Sequence, residues 1–85
     1  MVDLAVTAEV TRIVEALLAK RGGARGVGRD ESLTDAGLTS LDMVNLMLAV
    51  EDAFGVEVPQ KRMTPANFRS IAAIEVLIGD LALAA

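Results

Sequence analysis

Asp35-Ala-Gly-Leu-Thr-Ser-Leu-Asp-Met-Val-Asn-Leu-Met-Leu-Ala-Val-Glu-Asp-Ala-Phe54 is the stretch that decides the fold: a glycine-bearing loop running into an apolar helix with a serine on its first turn. Thr39 suits the N-cap position, and Asp42, three residues on, is its reciprocal partner. Thr39-Ser-Leu-Asp42 therefore reads as a capping box that opens a helix. Ser40 then falls at the first helical position, where its side chain is not the cap. It points outward, beside backbone N–H groups that have no partner within the helix. A helix start of this kind favours an anionic group, so an exposed hydroxyl here suits attachment of a phosphodiester. A serine in a first turn is common, and the residues alone favour ordinary helix-start chemistry over an attachment site.

Turned at roughly 100° per residue, the helix expected from Ser40 to Phe54 has distinguishable faces. Asp42, Asn45, Ala49 and Asp52 gather on one side, and Met43, Leu46, Met47, Val50 and Phe54 on the other. The second set is the expected core. Leu41, Val44 and Leu48 form a row between the two, starting beside the serine. Helical spacing puts that row partly in the core; an exposed apolar strip rimmed by Asn45, Glu51 and Asp52 is the other reading.

Upstream, Val6, Val10, Ile13, Val14, Leu17 and Leu18 recur at three and four, which predicts an amphipathic helix from about Leu4 to Arg21, stopped by Gly22-Gly23. From Gly22 to Asp35 the density of glycine and charge reads as a solvated loop, mobile between Gly22 and Gly28, with Leu33 and Leu38 tacking its second half onto the core. Gly-Gly-Ala-Arg-Gly-Val-Gly has neither a preceding strand nor a following Lys-Ser/Thr, which argues against a phosphate-binding P-loop. Downstream, Gly55 is a helix stop and Val56-Glu-Val-Pro59 an extended connection whose valines tuck inward. Thr64-Pro65 signals a short helix or turn to Phe68, with threonine as cap. Ser70 caps a last helix built on Ile71, Ile74, Leu77, Ile78 and Leu81, with Ala82 to Ala85 fraying. Four apolar helical segments, the third very short, bury their stripes only by packing on one another. The expected fold is all-α, a small four-helix bundle with a long loop between helices 1 and 2.

At 85 residues the chain reads as one domain, 1–85, burying roughly 60–65% of its unfolded surface. Hydrophobic residues make up 53% of it, yet with two Phe and no Tyr or Trp the core is aliphatic. The absence of Cys excludes disulfides and thiolate sites, and the absence of His removes the commonest general base and metal ligand. Asp30, Glu31 and Asp35 lack metal-loop spacing. No metal site is expected, and only scattered carboxylates remain for an enzyme. The net charge of −4 argues against nucleic acid as a partner. Asp3 and Glu9 near the start predict no signal peptide and no apolar run is long enough to span a membrane, so the expectation is a soluble, monomeric cytoplasmic protein.

Gly37-Leu-Thr-Ser-Leu-Asp42, then Val44, Leu46, Glu51 and Phe54, then Val56-Glu-Val-Pro59, resembles the acyl carrier and peptidyl carrier proteins. The match is ungapped from Gly37 to Pro59 and extends with looser spacing from about Asp30 to Ile78. The resemblance implies a bundle of acyl-carrier-protein type with 4′-phosphopantetheine, from coenzyme A, attached covalently to Ser40, its thiol holding an acyl or aminoacyl group as a thioester. It also implies partners: a phosphopantetheinyl transferase, an acyl or aminoacyl ligase that loads the carrier, and downstream transferases or synthases. Their docking face would comprise Leu41, Val44, Asn45, Leu48, Glu51 and Asp52. Most acyl carriers have an aspartate immediately before the modified serine; this chain has Thr39, which speaks against a housekeeping fatty-acid carrier. Gly37-Leu-Thr-Ser40, with Met63, Phe68-Arg-Ser-Ile71 and Ala73-Ile74, is similar to the stand-alone aminoacyl carrier proteins of bacteria. The alternative is a helical protein–protein interaction module without a prosthetic group, in which Ser40 is incidental.

Overall fold

The structure, a computed structural model, describes residues 4–20, 22 and 26–84. Its elements in order are α1 (Leu4–Lys20), α2 (Leu33–Ala36), α3 (Ser40–Phe54), two 3₁₀ turns (Gln60–Arg62 and Pro65–Phe68) and α4 (Ile71–Ala84), with no strand among the described residues. α1 packs on both α3 and α4, and the second 3₁₀ turn bridges α4 and α3. This is the expected all-α bundle.

The apolar stripes meet in one core. α1 contributes Val10, Ile13, Val14 and Leu18; α3 contributes Met43, Leu46 and Val50; α4 contributes Ile71, Ile74, Leu77 and Ile78. Each fully buried aliphatic side chain of this kind gains about 1.5–3 kcal/mol over its exposed state, so a marginal small domain needs all three stripes. Phe68 is the largest fully buried side chain and fills the gap where the short 3₁₀ turn replaces a full helix. Met47 and Phe54, assigned to the core from the helical wheel, are only partly buried against it.

The segment from Gly22 to Asp35 is not all loop. Ser32 accepts the Asp35 N–H on its Oγ at 3.4 Å and opens the single turn α2. Gly37 closes it at φ 122°, and the Leu38 N–H reaches back to the Leu33 carbonyl at 3.0 Å. That is a Schellman-type closure, with both of its leucines buried as anticipated. Four residues are too few for a period, so only the Ser32–Asp35 capping signal marked this turn in the sequence.

The preceding residues are pinned rather than merely solvated. Arg29 O accepts the Ala72 N–H at 2.9 Å and Arg29 Nε donates to Glu75 Oε2 at 2.7 Å, while the Leu33 N–H donates to Arg69 O at 2.8 Å. Glu75 also accepts a hydrogen bond from the Thr7 hydroxyl, so one buried carboxylate joins α1, α4 and the loop. The mobility expected between Gly22 and Gly28 concerns a segment whose residues 23–25 lie outside the described ones.

Gly55 stops α3 in the left-handed conformation (φ 61°), as its position suggests. Val58 then turns inward and its N–H donates to Glu51 Oε2 at 2.8 Å. Val56 is half-buried. The 3₁₀ turn Gln60–Arg62, led by Pro59 at φ −59°, carries no periodic signal and was not foreseen. Pro65–Phe68 is the expected short helix, but the Thr64 hydroxyl does not cap its backbone; it accepts from the Asn67 side-chain amide at 3.1 Å. Ser70 does cap α4, accepting the Ala73 N–H at 3.1 Å. α4 continues to Ala84, past the point at which fraying was expected.

Candidate functional site

The start of α3 is locked from both sides. Thr39 is extended (φ −88°, ψ 174°), and its Oγ1 accepts the Asp42 N–H at 3.2 Å. In return Asp42 Oδ2 accepts the Thr39 N–H at 2.9 Å, closing the capping box, and the Thr39 hydroxyl at 3.0 Å. Leu38 and Met43, at the N′ and N4 positions of a hydrophobic staple, are both in the core. Asp42 is therefore buried, although the wheel set it on the polar face with Asn45, Ala49 and Asp52. The Thr39 N–H and hydroxyl are among the groups that replace water at its carboxylate.

Ser40 follows the cap, exposed, and its hydroxyl makes no hydrogen bond to the described residues. Beside it the row left open by helical spacing proves to be surface: Leu41 is 71% exposed, Val44 50% and Leu48 56%. Asn45 and Asp52 are exposed along the same helix. Glu51 is only partly so, because its carboxylate holds the Val58 N–H; it is a fold-stabilising group as well as a rim residue. The structure thus brings Ser40, Leu41, Val44, Asn45, Leu48 and Asp52 onto the outer surface of one helix and diverts Glu51 inward.

The arrangement can present a hydroxyl; it assembles no acid–base pair around it. Among the described residues no cluster of three Asp or Glu side chains could hold a metal ion. No described helix is long and apolar enough to cross a membrane. An open groove of about 520 Å³ is lined by Asp30, Ser32, Arg69 and Val76 with the first turn of α4, and none of its lining residues belongs to α3. Sequence reasoning missed the inward turn of Asp42, though the capping box it recognised already implied that this carboxylate faces the backbone. A lone hydroxyl on a fixed helix start also fits a phosphate ester, since the α3 dipole favours negative charge there.

Residues 8–77 match the phosphopantetheine attachment site family. The chain is 41% identical over 69 residues to aminoacyl carrier protein 1 of Bradyrhizobium diazoefficiens, covering 81% of this chain and 77% of that protein. Aminoacyl carrier protein 2 of the same organism is equally similar, at 41% over 69 residues, with 81% and 78% covered. In three dimensions the fold superposes, at TM-score 0.81 and 36% identity, on a chain of the crystal structure of Bradyrhizobium japonicum glycine:[carrier protein] ligase complexed with cognate carrier protein and an analogue of glycyl adenylate. The superposition covers 89% of this chain and 97% of that one. A family match over most of the chain, on a bundle that presents a free serine hydroxyl at a capped helix start, means that the chain belongs to the phosphopantetheine attachment site family, carrier proteins whose cofactor is covalently bound 4′-phosphopantetheine.

Proposed function

We propose that residues 1–85 form one aminoacyl carrier domain in which Ser40 bears the prosthetic group. Leu41, Val44 and Leu48, with Asn45, Glu51 and Asp52 at their rim, are the docking face for the enzymes that load and unload it. The observation that carries this reading is the exposed, unpartnered Ser40 hydroxyl beside three exposed apolar side chains on a helix whose cap is supplied by another residue. When bound, 4′-phosphopantetheine supplies a thiol that holds cargo as a thioester. The chain's own residues fix the attachment point and offer a surface; the chemistry belongs to the partners, and the protein is not itself an enzyme. Those partners are a phosphopantetheinyl transferase, an aminoacyl ligase and a downstream acceptor enzyme, all in the cytoplasm. Similarity to aminoacyl carrier proteins, and to carrier structures in complex with a glycine:[carrier protein] ligase, favours an amino acid as cargo.

Intact mass spectrometry after incubation with coenzyme A and a phosphopantetheinyl transferase tests the reading. One phosphopantetheinyl group is expected on the wild type and none on Ser40→Ala, whose fold stays intact because Thr39 keeps the cap. An unmodified wild type, or added mass that persists in Ser40→Ala, would leave the helical interaction module as the better account. Incubating the modified protein with an aminoacyl ligase, ATP and glycine then tests the cargo.

A further inference from the structure

The groove beside α4 carries two opposite charges that do not meet. Asp30 and Arg69 both line it, both are exposed, and neither side chain forms an ion pair or hydrogen bond with a described residue. Arg12, Arg29 and Arg62, by contrast, each hold a carboxylate. The wall of the groove includes Ala72, Ala73 and Val76, the last of them 61% exposed. The start of α4 adds no free donors at these positions, because Arg29 O takes the Ala72 N–H and Ser70 Oγ takes the Ala73 N–H. The groove therefore offers one carboxylate, one guanidinium and an aliphatic surface. A matching ligand has a cation, a hydrogen-bond acceptor and a run of methylenes.

Ser40 is close enough to supply such a ligand. The Leu38 N–H lies 3.0 Å from Leu33 O, and the remaining steps to Ser32 and Ser40 are about 3.8 Å each, so the Cα atoms of Ser32 and Ser40 are at most about 18 Å apart. A phosphopantetheine tether puts about 16 bonds between the Ser40 Cα and its sulfur. At the reach of an extended chain, about 1.1–1.2 Å per bond, it spans about 18 Å to the sulfur and about 21 Å to the nitrogen of an aminoacyl group. A simple acyl cargo has no cation. An aminoacyl cargo keeps its α-ammonium when its carboxylate becomes the thioester.

We propose that this groove is a holding site for the carrier's own aminoacyl cargo. The Asp30 carboxylate accepts the α-ammonium, the Arg69 guanidinium donates to an amide carbonyl of the tether, and the methylenes of the tether lie on Ala72, Ala73 and Val76. This rests on Ser40 as the attachment point and an amino acid as cargo. An exposed ion pair shifts an equilibrium by about 1.4- to 5-fold, which favours aminoacyl over acyl cargo in the groove and still lets a partner enzyme draw it out.

The test uses the full chain, loaded at Ser40 by a phosphopantetheinyl transferase with the glycyl or the acetyl amide of amino-coenzyme A. Nitrogen replaces the thiol sulfur in these probes, so the cargo does not hydrolyse, and the two differ only by the ammonium group. Backbone amide shifts of Ser32, Ala72, Ala73 and Val76 report the groove, and that of Leu41 reports attachment. At about 0.1 M sodium chloride the glycyl form moves the groove amides about two- to fivefold further than the acetyl form. The ratio falls toward one at about 1 M, where the screening length is about 3 Å. Asp30→Asn brings the ratio to about one already at low salt. Asp35→Asn, which removes an exposed acid of the same segment outside the groove, leaves the ratio as in the wild type. Groove amides that stay unmoved in a glycyl form whose Leu41 amide does move overturn the holding site and leave the carrier reading standing. So does a ratio that survives Asp30→Asn or is lost equally in Asp35→Asn. A chain that never takes up either group overturns the carrier reading as well.

Discussion

Glu75 offers the sharpest test of how the bundle is held together, because its two partners differ in their access to water. Its side chain is 2% exposed and accepts from Thr7 on α1 and from Arg29 in the loop; the Arg29 side chain is 44% exposed. Removing Arg29 leaves a buried carboxylate with the threonine hydroxyl alone. A fully buried pair broken in this way costs about 3–5 kcal/mol, but solvent already reaches the arginine end, so the expected cost of Arg29→Ala is about 1–3 kcal/mol. Replacing both residues by methionine removes the stranded charge and should return stability to within about 1 kcal/mol of wild type. The whole domain is worth about 4–13 kcal/mol, so these are large fractions. Each 1 kcal/mol shifts the melting temperature of a chain this size by about 4–8 °C. Thermal and urea unfolding of Arg29→Met, Glu75→Met and the double variant form a cycle with an expected coupling of about 1–2 kcal/mol. Single variants whose effects add to within about 0.3 kcal/mol would mean that the two charges do not act on each other, and that the loop is held by its backbone bonds and leucines alone.

Leu46→Ala and Leu48→Ala should separate core from docking face: the buried Leu46 costs about 2–5 kcal/mol, while the exposed Leu48 costs little stability and weakens loading by partner enzymes, as read by urea melts and transfer rates. Thr39→Ala should lose about 0.5–2 kcal/mol of unfolding free energy yet still accept the prosthetic group, in contrast with Ser40→Ala. Gly79→Ala, in the exposed middle of α4 with open space where a Cβ would stand, should raise stability by about 0.5–1 kcal/mol in the same melts.

Much of this was legible in the sequence because strong periodic and capping signals coincide. The α1 stripe, the Thr39–Asp42 box, Gly55 and Ser70 each act locally, and each has its expected neighbours. What stayed illegible depends on contacts distant in sequence or on pieces too short to carry a period. α2 and the 3₁₀ turn Gln60–Arg62 are four and three residues long. Glu75 sits within the apolar run of α4, and nothing in its neighbourhood announces that its partners are 68 and 46 residues away. The exposure of Leu41, Val44 and Leu48 could not be decided from spacing, since a row between two faces is buried or bare according to where the neighbouring helices stop.

The closure at Gly37 bears on how cargo would be delivered. With Leu33 and Leu38 both buried and the next turn stapled through Met43, the backbone that leads to Ser40 has no hinge close to the attachment point. The serine keeps one soft rotation, about its own Cα–Cβ bond. Any sweep made by a group tethered there is therefore a property of the tether, drawn as a shell about an almost stationary centre. The distance at which a partner must hold its reactive atom is then set by tether length and by where the enzyme grips α3, with little contribution from bending of the protein.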